Sequence, residues 1–110
     1  MPKYILLLRG DKETAYAQLS PEDIQKVIER YMAWQKKPFV VGGAGLIDKT
    51  GRVLQKKSGS LSVTEGPYSE SREVIGGFFT IEAESFDEAV KLSADNPHAE
   101  FGMIEIREVK

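Results

Sequence analysis

Residues 4–8 read Tyr-Ile-Leu-Leu-Leu, an unbroken apolar run closed by Lys3 on one side and Arg9-Gly10-Asp11 on the other. A run this short, bounded by charge, predicts a strand, and its lack of alternation predicts burial on both faces. Tyr4, Leu6 and Leu8 then point one way and Ile5 and Leu7 the other. The rest of the chain must supply cover for two sides of this strand, and that requirement limits which folds are open to it.

Two helices are available. The first opens at Ser20-Pro21-Glu22-Asp23: a capping hydroxyl, a proline suited to the first helical position, and two acids at the positive end of the dipole. Ile24, Val27, Ile28, Tyr31 and Trp34 follow at helical spacing, and Pro38 ends the helix. The second opens at Ser85-Phe86-Asp87-Glu88, a capping box, with Phe86, Ala89, Val90 and Ala94 on its apolar side and Asn96-Pro97 as its stop.

Between them, Phe39-Val40-Val41 leads into Gly42-Gly43-Ala44-Gly45, expected as a flexible turn, and Asp48-Lys49-Thr50-Gly51 reads as another turn. Residues 52–56 and 61–64 read as hairpin strands joined by Lys57-Ser58-Gly59-Ser60. Residues 65–73 read as a polar loop. Residues 78–83 form a strand with Phe79, Ile81 and Ala83 on one face and Phe78, Thr80 and Glu82 on the other. Residues 102–109 form the last strand, with Ile104 and Ile106 opposite Met103, Glu105 and Arg107.

The order is strand, helix, hairpin strands, strand, helix, strand. It predicts one α+β domain over residues 1–110, a ferredoxin-like split βαβ with an inserted hairpin. Two helices cover one face of such a sheet. Ile5, Leu7, Phe78 and Met103 leave the second face apolar where a solvated sheet would be polar. The expected cover is the same face of a second copy, giving a homodimer. The rival is a monomer whose hairpin folds back over its own sheet and shelters the first strand.

Composition removes several function classes. The formal charge is −2 with 41% hydrophobic residues, and acids and bases are interleaved. Lys36-Lys37 and Lys56-Lys57 read as solvated surface, so no nucleic-acid partner is expected. No apolar stretch approaches a membrane span or a signal-peptide core, so no membrane partner is expected and the location is expected to be cytoplasmic. Cysteine is absent, which removes thiol nucleophiles, disulfides, iron–sulfur ligation and cysteine zinc sites. One histidine is too few for a typical zinc site. No metal and no cofactor are expected.

The remaining motifs are weak individually. Gly42-Gly43-Ala44-Gly45 lacks the Gly-Lys-Ser/Thr ending of a phosphate loop. Ser60, Ser62, Ser69 and Ser71 have no partnered histidine. His98, just after a helix and a proline, is expected at the surface or in a loop, with a general base or haem ligand as the other reading. Glu65-Gly66-Pro67-Tyr68 reads as turn chemistry anchored by Tyr68, or as a pocket rim. In the second reading Glu65, Tyr68 and Arg72 meet Arg9 and Asp11, which leave the buried first strand, with His98 as a further pocket residue.

Residues 3–11, Tyr31-Met32-Ala33-Trp34, residues 64–73 and Ile75-Gly76-Gly77-Phe78-Phe79 together resemble the YCII-related family in its DGPF-motif branch. The namesake motif stands here as Glu65-Gly66-Pro67-Tyr68. The resemblance spans residues 3–109 and implies a dimeric α/β barrel of ill-defined biochemical role, some relatives occurring with sigma-factor-type regulators. Simpler YCII members carry a histidine on the first helix and an aspartate in an Asp-Pro pair after the second, a proposed active-site dyad. Here the first-helix segment is Tyr31-Met32-Ala33-Trp34, and Asn96 precedes Pro97 with Asp95 one earlier. That dyad does not carry over.

Three readings follow. The preferred one is a small dimeric domain of unassigned role that binds a small polar ligand near the end of the first strand. The second is a cofactor-independent lyase, isomerase or monooxygenase, with Asp11, Glu65, Asp95 or His98 as proton carrier and Arg9 or Arg72 holding an anion. The third is a regulatory module for a sigma-type transcription factor.

Overall fold

The computed structural model describes residues 1–10, 15–47, 50–65 and 74–110. In chain order the elements are β1 (Lys3–Gly10), α1 (Pro21–Gln35), β2 (Val40–Gly45), β3 (Arg52–Lys57), β4 (Ser60–Glu65), β5 (Val74–Glu82), α2 (Phe86–Ser93), a 3-10 turn (Pro97–Glu100) and β6 (Met103–Val109). The main sheet runs β2-β5-β1-β6, antiparallel throughout. This is the ferredoxin-like order, with β3 and β4 forming a separate two-stranded sheet between its halves.

The helices form where their caps predict. Ser20 accepts a hydrogen bond from the Asp23 backbone N–H at 3.1 Å, and Ser85 does the same for Glu88 at 3.1 Å. Each satisfies a donor that the first helical turn leaves open. Both helices lie on one side of the sheet, where Tyr4, Leu6, Leu8, Phe79 and Ile81 are buried with Trp34 and Ala89. Trp34 packs edge-on to Phe79 at 4.9 Å and to Phe39 at 5.5 Å between ring centroids. In α2 the buried line runs through Ala89 and Ser93, while Val90 is exposed, contrary to the sequence reading. A helix of eight residues meets the sheet along one narrow line, and Val90 lies off it.

The buried Trp34 indole N–H donates to Asp95 Oδ1 at 3.0 Å, and Lys37 lies 3.3 Å from the other Asp95 oxygen. The indole hydrogen bond, then Lys37, hold the Asp95 carboxyl below the usual carboxylate range. A carboxylate whose folded pKa is depressed adds stability above its unfolded value, near pH 4, and loses it as pH falls through the folded value. Asp95→Asn is therefore expected to flatten the loss of stability below about pH 4, while costing at most about 1 kcal/mol at neutral pH because the carboxylate is largely solvated. Urea unfolding at a series of pH values checks this.

One expectation and one rival reading need correction. Gly42-Gly43-Ala44-Gly45 is not a turn but most of β2, an edge strand paired to β5. Gly43 suits close packing: a Cβ there would lie 2.8 Å from Phe79 Cδ1 and 2.7 Å from the Phe78 carbonyl. The hairpin does not fold over its own sheet either. Every residue of β3 and β4 is exposed, and the helices shelter Tyr4, Leu6 and Leu8. The hairpin turn follows the sequence reading, with Ser58 and Gly59 at φ 50° and 82°. Positive φ at both central residues matches the twist of the strands it joins.

Among the described residues, no helix covers the second sheet face. Ile5 and Leu7 of β1 and Phe78 of β5 lie across it, half-buried, with Arg9, Glu105 and Arg107 at its margin. Arg9 is 3.1 Å and Arg107 3.3 Å from the Glu105 carboxylate. Among the described residues no helix is long and apolar enough to cross a membrane.

Candidate functional site

The polar cluster of interest lies where β1 ends, on the helix side of the sheet. Asn96 starts it. Its Oδ1 accepts a hydrogen bond from the His98 backbone N–H at 2.8 Å, and Pro97 enters the 3-10 turn behind this cap. The turn places the His98 imidazole between β1 and α1. His98 is 7% exposed, so the sequence expectation of a surface or loop histidine is overturned. The cap folds Pro97 and His98 inward.

Both imidazole nitrogens are engaged. Nε2 lies 2.7 Å from the Arg9 backbone carbonyl oxygen, and Nδ1 lies 2.8 Å from the Tyr31 hydroxyl. A carbonyl only accepts, so Nε2 carries a proton and donates. Nδ1 faces a hydroxyl that can donate or accept. The approach is tight because residue 102 is glycine: a Cβ there would lie 2.2 Å from the Arg9 oxygen and 2.8 Å from His98 Nε2.

Tyr31 extends the chain outward. Next to it is the phenol of Tyr16, which lies in the turn before α1 and stacks edge-on against Phe101 at 5.4 Å. Burial, and then the neighbouring Tyr16 phenol, push the Tyr31 phenol far above its ordinary range, so it stays protonated. An ion pair between Arg30 and Glu100 ties α1 to the 3-10 turn alongside.

The arrangement is a line of three titratable groups, Tyr16, Tyr31 and His98. In one state Tyr31 donates to Nδ1 and its oxygen is open to a proton from Tyr16. In the other Nδ1 carries a second proton and donates to Tyr31, which donates to Tyr16. Passing from the first state to the second takes up one proton: Tyr31 gives its proton to Nδ1, Tyr16 gives its proton to Tyr31, and an acid outside the line must re-protonate Tyr16.

The sequence-predicted pocket is divided. His98 and Arg9 are brought together, but through the Arg9 main chain; the Arg9 guanidinium pairs with Glu105. Glu65 lies at the end of β4, 3.7 Å from Arg52 across the hairpin. Asp11, Tyr68 and Arg72 lie outside the described residues. Tyr16 and Tyr31 were missed as site residues. Tyr31 read as part of an apolar helix face, and Tyr16 was not singled out. A phenol on a buried face needs a partner, and the chain has one histidine to offer it. Among the described residues no group of three or more His, Cys, Asp or Glu side chains could hold a metal ion.

The YCII-related domain matches residues 3–110. The chain belongs to the YCII-related family. An uncharacterized protein of Rhizobium meliloti (strain 1021), R00369, is 28% identical over 94% of this chain and 89% of its own length. Among solved structures, the chain is similar to 5-chloro-2-hydroxyhydroquinone dehydrochlorinase from Burkholderia phenoliruptrix AC1100, determined with 2,5-dihydroxybenzoquinone. The TM-score is 0.50 at 16% identity, over 100% of this chain and 94% of that one. That likeness is one of fold, and it agrees with the α+β architecture built above. The first-helix residue that faces the histidine is Tyr31, and the histidine comes from beyond α2.

Proposed function

We propose that this YCII-related chain is a homodimer that binds a small polar, acidic ligand beside Tyr16 and exchanges a proton with it through Tyr31 and His98. The observation that carries the proposal is the imidazole fixed between a main-chain carbonyl and a phenol, with a second phenol outside it. A buried histidine so placed suits acid–base exchange with a phenol, an enol or a carboxylic acid. The dimer rests on the sheet face where Ile5, Leu7 and Phe78 have no helix over them among the described residues. Within the family, Glu65-Gly66-Pro67-Tyr68 supports the DGPF-motif branch. A chain without cysteine is suited to a reducing cytoplasm.

The test is a thermal-shift series with small phenols, enols and carboxylic acids, 2,5-dihydroxybenzoquinone among them. A binding member is expected to raise the wild-type midpoint, and Tyr31→Phe and His98→Gln to remove the rise while each variant still unfolds cooperatively. If no member shifts the wild type, or the variants respond as it does, the ligand is not held here.

A further inference from the structure

Among the described residues, the hairpin of β3 and β4 is a two-stranded sheet. Such a hairpin is at best marginal in water. Its pairing puts Leu54 opposite Val63 and Lys56 opposite Leu61, so that Leu54, Leu61 and Val63 share one face. These three are 64%, 56% and 54% exposed. The opposite face carries Val53, Gln55, Ser62 and Thr64. Leu54, Leu61 and Val63, set among Arg52, Lys56 and Glu65 on one exposed face of a hairpin too small to stand alone, mark an interaction surface.

Two observations identify the occupant. The first is charge. Residues 52–65 carry Arg52, Lys56 and Lys57 against Glu65, a net charge of +2. The whole chain is −2, so the residues outside the hairpin sum to −4. A basic arm projecting from an acidic body is complementary to another copy of that body. The second is area. Four strands about 4.8 Å apart, over seven residues of about 3.3 Å each, give the sheet face a plan of roughly 450 Å². A stable interface takes about 800 Å² from each partner, so the sheet face falls short alone.

The arm is also continuous with that face. The pairing of β2 and β5 extends through the Leu46 N–H to the Gly76 carbonyl at 2.9 Å. Ile75, opposite Arg9 at the end of the sheet, is exposed, as are Leu46 and Ile47 toward the hairpin. An apolar strip thus runs from Phe78 and Leu7 to the base of the arm.

We propose that the hairpin is a dimerisation arm: each copy lays its Leu54–Leu61–Val63 face against the acidic body of the other. This rests on the homodimer of the preceding section, and the experiment separates the two. Wild type is expected to be a dimer in sedimentation equilibrium at micromolar concentration. Leu54→Glu combined with Val63→Glu is expected to weaken it about tenfold or more, roughly 1.4 kcal/mol. Far-UV circular dichroism should be unchanged, because the replaced side chains are exposed. Since the chain has no cysteine, a nitroxide on Ser62→Cys labels the arm uniquely on its polar face. Mixed with unlabelled ¹⁵N protein, it should broaden amides of the other copy. A dimer of wild-type strength in the double variant, with no broadening between copies, would overturn the arm and leave the dimer standing. A monomeric wild type would overturn both.

Discussion

Trp34→Ala is expected to be the most damaging single truncation in the described structure, at about 3–5 kcal/mol. The indole is 3% exposed, and it lies between Phe39 and Phe79. It is the part of α1 that reaches deepest into the core over β5. Its removal leaves a cavity that a helix fixed at both ends cannot close. It also leaves Asp95 without its indole donor. Native domains are held by about 5–15 kcal/mol, so the variant should unfold by tens of degrees earlier or fail to fold at all. Trp34→Phe keeps most of the apolar volume and should recover well over half of the loss. Thermal unfolding followed by circular dichroism reads both. A midpoint for Trp34→Ala within a few degrees of wild type would mean that the α1–β5 packing is not the core.

Gly102→Ala is the second large effect, expected at about 3 kcal/mol although it adds a single methyl group. The added Cβ would meet the Arg9 carbonyl at 2.2 Å and His98 Nε2 at 2.8 Å, and the first of these is backbone that cannot swing away. The start of β6 must therefore move away from β1, and the hydrogen bond between Nε2 and the Arg9 carbonyl must lengthen or break. Gly45→Ala supplies the control. No atom lies within 4 Å of a Cβ placed at Gly45, and in an edge strand alanine is the better residue by about 0.5–1 kcal/mol. The two substitutions should thus have opposite signs in denaturant unfolding. Equal effects would show that the tight contact at Gly102 does not constrain the chain.

The architecture was legible because it is written in local signals. The unbroken run from Tyr4 to Leu8, the caps at Ser20 and Ser85, and the alternation around Phe79 and Ile81 each act within a few residues. Their order leaves few ways to arrange the strands. The glycine-rich segment misled for a physical reason. Glycines at 42, 43 and 45 match a turn, and the case for a strand comes from pairing with β5, whose Phe79 ring packs against Gly43 and is distant in sequence. The site was less legible still. Nothing near His98 in the chain predicts that it meets Tyr31, 67 positions earlier, and the Arg9 carbonyl, 89 positions earlier. Arg9 and His98 were both singled out, but as side chains of one pocket. The structure joins them through a backbone oxygen and sends the guanidinium to Glu105. Main-chain acceptors carry no residue code, so no reading of side-chain chemistry would have found this one.

The same contacts tie function to stability. The imidazole that links β1, α1 and the 3-10 turn is also the inner end of the proton path. His98→Gln should therefore weaken the fold as well as the proposed exchange, whereas Tyr16→Phe, at the outer end, should affect the exchange with little cost to the fold.

The most direct measurement is ¹⁵N NMR of the imidazole, which is unambiguous because the chain contains a single histidine. The account predicts a slowly exchanging proton on Nε2 and an Nδ1 resonance that moves when Tyr31 is replaced by phenylalanine. A rapidly exchanging ring whose nitrogens ignore that substitution would contradict it.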